Sequence, residues 1–242
     1  MQKSMQKNIK TRFFLWLLLC CIPVASFAQT PTKILAQYDV LKGNIKVATI
    51  SETYTRTQDS YHIESIWKAV GLLALFKPEN IQVTSTGSVN AQGLRPLTFI
   101  HTRKLDSKRN ARADLDWNAN QITLTDRAGV RTLPLAAGTQ DRLSAMYQFM
   151  FAPLKNSAKY DLNMTNGNKI DVYNFLITPN QSVTVPLGTF KALYLASPKI
   201  AKESRTEIWL AEEHAFFPYK MVITDDDDST LTQVLTQFSL EP

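Results

Sequence analysis

Over residues 81–89, Ile81, Val83, Ser85, Gly87 and Val89 alternate with Gln82, Thr84, Thr86 and Ser88. A helix cannot satisfy a period of two, whereas a half-buried strand does. Similar short runs recur at 34–41, 46–57, 61–67, 94–104, 111–117, 121–125 and 130–135. They resume at 161–165, 169–178, 182–185, 190–197, 204–210, 219–224 and 231–240. Turn chemistry lies between them: Gly43-Asn44, Asp59-Ser60, Asn90 to Gly93, Asp106-Ser107, Asn118 to Asn120, Ala128-Gly129 and Asn166-Gly167. Strands spaced this regularly predict a mainly β fold, a strongly curved antiparallel sheet that forms a half-barrel or barrel.

One stretch departs from that period. Leu143, Met146, Tyr147 and Met150 fall at i, i+3, i+4 and i+7, which gives residues 141–151 one apolar helical face. With Thr139 as cap, Asp141 in the first turn and Pro153 as stop, the pattern predicts a helix of about three turns, packed on the sheet near 140–152. Residues 169–178 read as apolar on both faces, Tyr173, Phe175 and Ile177 on one and Ile170, Val172 and Leu176 on the other. Such a strand calls for cover on both sides. No linker or repeat divides the chain, so 29–242 is expected to form one domain.

The first 28 residues read differently. Lys3, Lys7, Lys10 and Arg12 precede an apolar run over 13–22, and Ser26-Phe27-Ala28 supplies small residues at a cleavage site. This is the pattern of a secretory signal peptide cut after Ala28, and the apolar run is too short to span a bilayer. Leu19 and Cys20 fit a lipoprotein signal poorly. The expected compartment is the periplasm of a Gram-negative envelope. Removing those four cations takes the formal charge from +6 to +2, which weakens any case for nucleic acid. Both cysteines, Cys20 and Cys21, leave with the signal, so neither a disulfide nor a thiol nucleophile is expected.

Tyr38-Asp39-Val40, Gly71-Leu72-Leu73, Asp141-Arg142-Leu143-Ser144, Val185-Pro186-Leu187-Gly188-Thr189-Phe190, and Trp209-Leu210 followed by Phe217-Pro218 together resemble the DUF3108 family. The resemblance covers essentially the whole of 29–242. It implies an exported β-rich protein of Gram-negative bacteria, with no established reaction and no catalytic residues to carry over. The C-terminal pieces Ile208-Trp209-Leu210, Pro218-Tyr219-Lys220, 225–228 and Leu231, Leu235 and Phe238 are also similar to periplasmic lipoprotein-localisation carriers, half-barrels with an apolar concave face.

Catalytic motifs are sparse. There is no Gly-x-Ser-x-Gly elbow, and His62, His101 and His214 are scattered. Asp114, Asp116 and Glu207 could serve glycoside hydrolysis only if the fold brought them together. No metal-ligand spacing occurs; the acidic run 225–228 reads as a solvated hairpin tip, with calcium binding as its other reading. No cofactor is expected.

Two segments invite a binding role. Arg103, Lys104, Lys108, Arg109 and Arg112 flank a turn and could contact anionic headgroups, or simply protect an edge hairpin. Trp67, Val70, Leu72, Leu73, Leu75 and Phe76 make an unusually apolar connection before Pro78. It reads either as ordinary core closing the barrel, or as a lid or patch for a ligand, membrane or partner. The expectation is a non-enzymatic periplasmic protein that presents or encloses an apolar surface for a lipid, a lipoprotein acyl chain or an envelope component. The alternative is a structural or assembly protein that binds envelope proteins through its β-sheet without a small ligand. An envelope hydrolase comes third.

Overall fold

A computed structural model describes residues 31–76 and 78–241; the expected signal peptide lies outside the described residues. The first half holds β1 (Lys33–Lys42), β2 (Ile45–Thr57), β3 (Ser60–Ala69), α1 (Gly71–Phe76), β4 (Asn80–Asn90) and β5 (Gly93–Arg103). It continues through β6 (Ala111–Asp116), β7 (Gln121–Asp126) and β8 (Gly129–Pro134). Then come β9 (Gln140–Asp141), α2 (Ser144–Gln148), β10 (Lys159–Thr165), β11 (Ile170–Val185) and β12 (Gly188–Ala196). β13 (Arg205–Ala211), β14 (Phe217–Thr224) and β15 (Thr230–Glu241) complete the order.

The predicted mainly β class and curved antiparallel sheet are what the chain forms. All fifteen strands join one sheet in the order β8-β7-β6-β5-β4-β3-β2-β1-β15-β14-β13-β12-β11-β10-β9. Two meanders are thus sewn together by β1 and β15, and only the β9–β10 pair is parallel. The outer strands β8 and β9 follow one another in the chain, so residues 135–139 link the two ends of the sheet. These ends also touch. Arg131 of β8 donates to the Asn168 carbonyl at 2.8 Å, and Gly167, at φ +86°, sits so near β6 that a Cβ there would lie 2.9 Å from Ala111 Cβ.

Bulges supply the curvature and redirect side chains. On β11, Thr178 pairs with Tyr194 and Gln181 with Ala192, one residue more than β12 provides. An extra residue reverses the faces beyond it. Phe175 and Ile177 therefore join one core cluster, with Leu193, Leu195, Ile208 and Leu210, while Val183 and Val185 join the other, around Tyr54, Phe99 and Phe217. Tyr219 is the extra residue on β14, and it separates Phe217 from Met221 in the same way. Two sequence expectations fail on β11. The segments 169–178 and 182–185 are one strand, and its second apolar face is covered only at Ile170, with Val172 and Leu176 exposed.

The helix over 141–151 also needs correction. Residues 140–141 are a strand, and α2 keeps only five residues. Thr139 does not cap it: its hydroxyl donates to the Ala136 carbonyl at 2.8 Å. The Asp141 carboxylate instead accepts the Leu143 and Ser144 N–H groups at 2.9 and 2.8 Å. The apolar stripe is real, since Leu143 and Tyr147 enter the first cluster and Met146 and Met150 pack against it, while Phe149, outside the stripe, enters the second. This segment fills the interior, pinned where Gln140 donates to the Leu94 carbonyl and Gln148 accepts the Leu94 N–H.

Gly87 marks the tightest approach within the sheet. At the β4–β5 bulge, a Cβ on Gly87 would meet the Arg95 carbonyl oxygen at 2.2 Å, Pro96 Cα at 2.8 Å and Tyr61 Cε1 at 2.9 Å. Two of these are backbone atoms that cannot step aside. Gly87→Ala is expected to lower stability by about 1–3 kcal/mol, the usual cost of overpacking, read as a drop in the urea midpoint. An unchanged midpoint would show that the bulge is pliant.

Candidate functional site

Antiparallel strands place alternate connections at the same end of the sheet. One rim therefore carries, in spatial order, the β7–β8 turn, the β5–β6 connection, α1, the β1–β2 turn, the β14–β15 turn and the β12–β13 connection. The two sequence segments singled out for binding become neighbours there. Glu79, just after α1, is ion-paired with Arg103 at the end of β5, and the Lys104 N–H donates to the Asn80 carbonyl at 3.3 Å.

α1 is a six-residue helix in which no residue is buried. Leu72, Leu75 and Phe76 are 74%, 77% and 86% exposed, and Ile45 of the neighbouring β1–β2 hairpin is 71% exposed. The reading of 70–76 as ordinary core is therefore overturned. α1 lies against β2, with the Val70 N–H on the Val47 carbonyl at 2.9 Å. Beneath it, Trp67, Val70 and Leu73 are half-buried, and Trp67 stands between Ile50 and Ile81 as its cross-strand partners. Full burial of a side chain such as Leu or Phe is worth about 1.5–3 kcal/mol, and these four leave that unrealised on one rim.

The five basic residues separate into two kinds. Arg103 is committed to Glu79, and Arg112 grips Asp114 through two hydrogen bonds of 2.6 Å. Lys104, Lys108 and Arg109 project from the β5–β6 connection, exposed. That connection is ordered by a short 3-10 turn (Ser107–Arg109) and by Asn110, whose side-chain oxygen accepts the Arg103 N–H at 2.7 Å. A shallow recess of about 300 Å³ opens beside it, lined by His101, Lys108, Asn110, Arg112, Thr125 and Arg127 among others. Burial, with the positive charge of Arg142, pushes the His101 imidazole down, which favours its neutral form. Sequence reasoning missed Ile45, Leu105 and Arg127. Each lies in or beside a hairpin turn and gains meaning only once the strand order puts it on this rim.

The candidate acids are not assembled. Asp114 and Asp116 lie on β6, Glu207 on β13, far off in the strand order. Asp114 faces Arg112, Asp116 accepts the Asn118 and Ala119 N–H groups, and Glu207 accepts from Tyr194 and Arg205. Of the histidines, His62 is exposed and His214 stacks on Tyr219 with its Nδ1 on the phenol oxygen at 2.5 Å. The acidic run 225–228 is a hydrogen-bonded turn, with the Asp225 N–H on the Ser229 carbonyl and the Ser229 N–H on the Asp227 carboxylate.

Two carboxylates lie inside instead. Asp141 is fully buried, takes a 2.5 Å hydrogen bond from the Ser85 hydroxyl, and is raised by burial to a pKa of about 6. Glu52 accepts from Ser65 at 3.0 Å and Tyr147 at 3.2 Å, and burial raises it too. Tyr61 completes the first group through Ser85 at 3.0 Å. They tie the central segment 140–148 to the sheet.

Comparison with known proteins agrees with this architecture. The family model described as "Protein of unknown function (DUF3108)" matches residues 37–236. The crystal structure of a β-barrel-like protein of the domain of unknown function DUF1849 from Brucella abortus superposes with a TM-score of 0.60 at 10% identity. That superposition covers 88% of this chain and 99% of the other; at such identity it speaks for the fold. No curated protein matches the chain.

Proposed function

We propose, from the premise that the chain belongs to the DUF3108 family of proteins of unknown function, that it is a non-enzymatic protein of the Gram-negative periplasm that presents an apolar rim to lipid. One observation carries this reading: Ile45, Leu72, Leu75 and Phe76 stand exposed together on one rim. Presentation is favoured over enclosure because the interior is occupied by Tyr54, Tyr147, Phe149 and Phe217, all essentially inaccessible. With six residues α1 is too short to cross a bilayer, but it can lay its apolar tips among acyl chains.

The test is co-sedimentation with vesicles of phosphatidylethanolamine and phosphatidylglycerol. Leu75→Ser/Phe76→Ser is expected to weaken vesicle binding at least tenfold while leaving the thermal midpoint unchanged, since neither side chain is buried. Wild-type protein that stays in the supernatant, or a variant that binds equally, overturns the reading.

A second reading, docking on an envelope protein, is favoured by β8. Every residue of this outer strand is exposed, Val130 and Leu133 included, and its outward groups could accept another strand. It predicts one dominant protein adduct from a photocrosslinker at Val130 and no dependence on α1.

A further inference from the structure

We infer that the recess beside the β5–β6 connection binds the phosphate of an anionic phospholipid whose acyl chains meet α1. This inference rests on the lipid-facing reading of the rim and names the headgroup class. Three features carry it.

The first is unspent charge. Lys108 and Arg127 line the recess from two different connections, and neither has an ion pair among the described residues. Arg112 adds a third cation, already held by Asp114. Asp126, the carboxylate in the lining, is already partnered: it pairs with Arg131 at 2.6 Å and accepts the Ala128 N–H at 2.7 Å. The recess therefore offers positive charge that its own acid does not cancel.

The second feature is hydrogen-bonding capacity. Thr125 and Ser107 bring hydroxyls, and Asn110 an amide whose oxygen is committed to Arg103, leaving the amide N–H groups to donate. Guanidinium, ammonium, hydroxyl and amide donors around one concavity suit a phosphate.

The third is placement. Neighbouring strands lie about 4.8 Å apart, so β6, beside the recess, stands about 20 Å along the rim from β2, against which α1 lies. The Glu79–Arg103 pair ties the chain leaving α1 to the end of β5, where the basic connection begins. An apolar tip and a cationic recess at such a distance on one rim match an amphiphile lying with its chains at one feature and its phosphate at the other. Exposed Leu105, between them, extends the apolar side. Nucleic acid fits less well, because the exposed side chains interleaved with these cations are aliphatic rather than base-stacking aromatics.

Three proteins distinguish this inference from the reading beneath it: wild type, Lys108→Ala/Arg127→Ala and Leu75→Ser/Phe76→Ser. Each is titrated with phosphatidylcholine vesicles with and without phosphatidylglycerol, and with inorganic phosphate alone. Wild type is expected to prefer the anionic vesicles. The Lys108→Ala/Arg127→Ala protein should lose about thirtyfold in affinity for them, at about fivefold per cation, with its binding to neutral vesicles unchanged. Equal loss on both vesicle types, or no loss on either, overturns the phosphate site while the lipid-facing rim stands. If wild type binds no vesicle, the rim reading falls and the inference with it. Saturable binding of inorganic phosphate that vesicles do not displace also overturns it, and points to a free anion as ligand.

Discussion

Tyr147→Ala is expected to cost about 4 kcal/mol or more of folding stability, the largest loss from any single side chain considered. Tyr147 is fully buried, stacks on Tyr54 at a centroid distance of 5.3 Å and meets Phe217 edge-on at 5.5 Å. Removing a buried ring of this size costs about 3–5 kcal/mol through lost transfer energy and the void left behind. The hydroxyl adds to that, because Glu52 would lose one of its two hydroxyl donors. Tyr147→Phe separates the two contributions, keeping the rings and giving up about 1 kcal/mol. Urea unfolding with an unchanged m-value is the measurement; a loss under 2 kcal/mol for Tyr147→Ala would show that the central segment repacks freely.

The second large effect concerns pH. Asp141 has its pKa raised by burial from 3.8 to about 6, so between those values the folded chain holds a proton that the unfolded chain releases. The associated stability is fully present below about pH 4 and is lost as pH rises through about 6. A difference of about two units at about 1.4 kcal/mol each amounts to about 3 kcal/mol. Glu52, also raised by burial, adds in the same direction. Unlike most acid-sensitive proteins, this one should gain from mild acid at the central segment. Asp141→Asn keeps an oxygen for the Leu143 and Ser144 N–H groups and removes the titration. Its stability relative to wild type should rise by about 3 kcal/mol between pH 4 and pH 7. A difference that stays flat across that range would mean that Asp141 is charged throughout.

Such a pair of buried acids could not be read from the sequence, and the reason is topological. Glu52 lies on β2 near the middle of the sheet order and Asp141 on β9 at its end, and each finds its partners, Tyr147 and Ser85, only because residues 135–148 turn inward. The strands themselves were legible, since alternation and turn residues are local signals. The central helix was half legible: its apolar stripe is present in the residues, but the helix is five residues long, and Phe149 and Leu154 beyond it lie in the second cluster. Pro179-Asn180 looked like the end of a strand and is a bulge within one, with Asn180 at φ 57° supplying the kink. On the rim, the apolar segment and the basic connection were both visible in sequence, but the exposure of the former was not. That Arg103 is neutralised by Glu79, and that Arg127 takes its place, depends on pairings between strands.

The seam between β1 and β15 has a consequence for the order of assembly. Lys33 pairs with Glu241, 208 residues away in the chain. The hairpins from β1 to β8 can form one after another as they emerge, each closing a short loop. β1 nevertheless keeps a bare edge until residues 230–241 arrive, and contacts of such high sequence separation form slowly. Through that interval its row of unpaired N–H and C=O groups can recruit any passing strand. The last-made strand is thus the guard of the first.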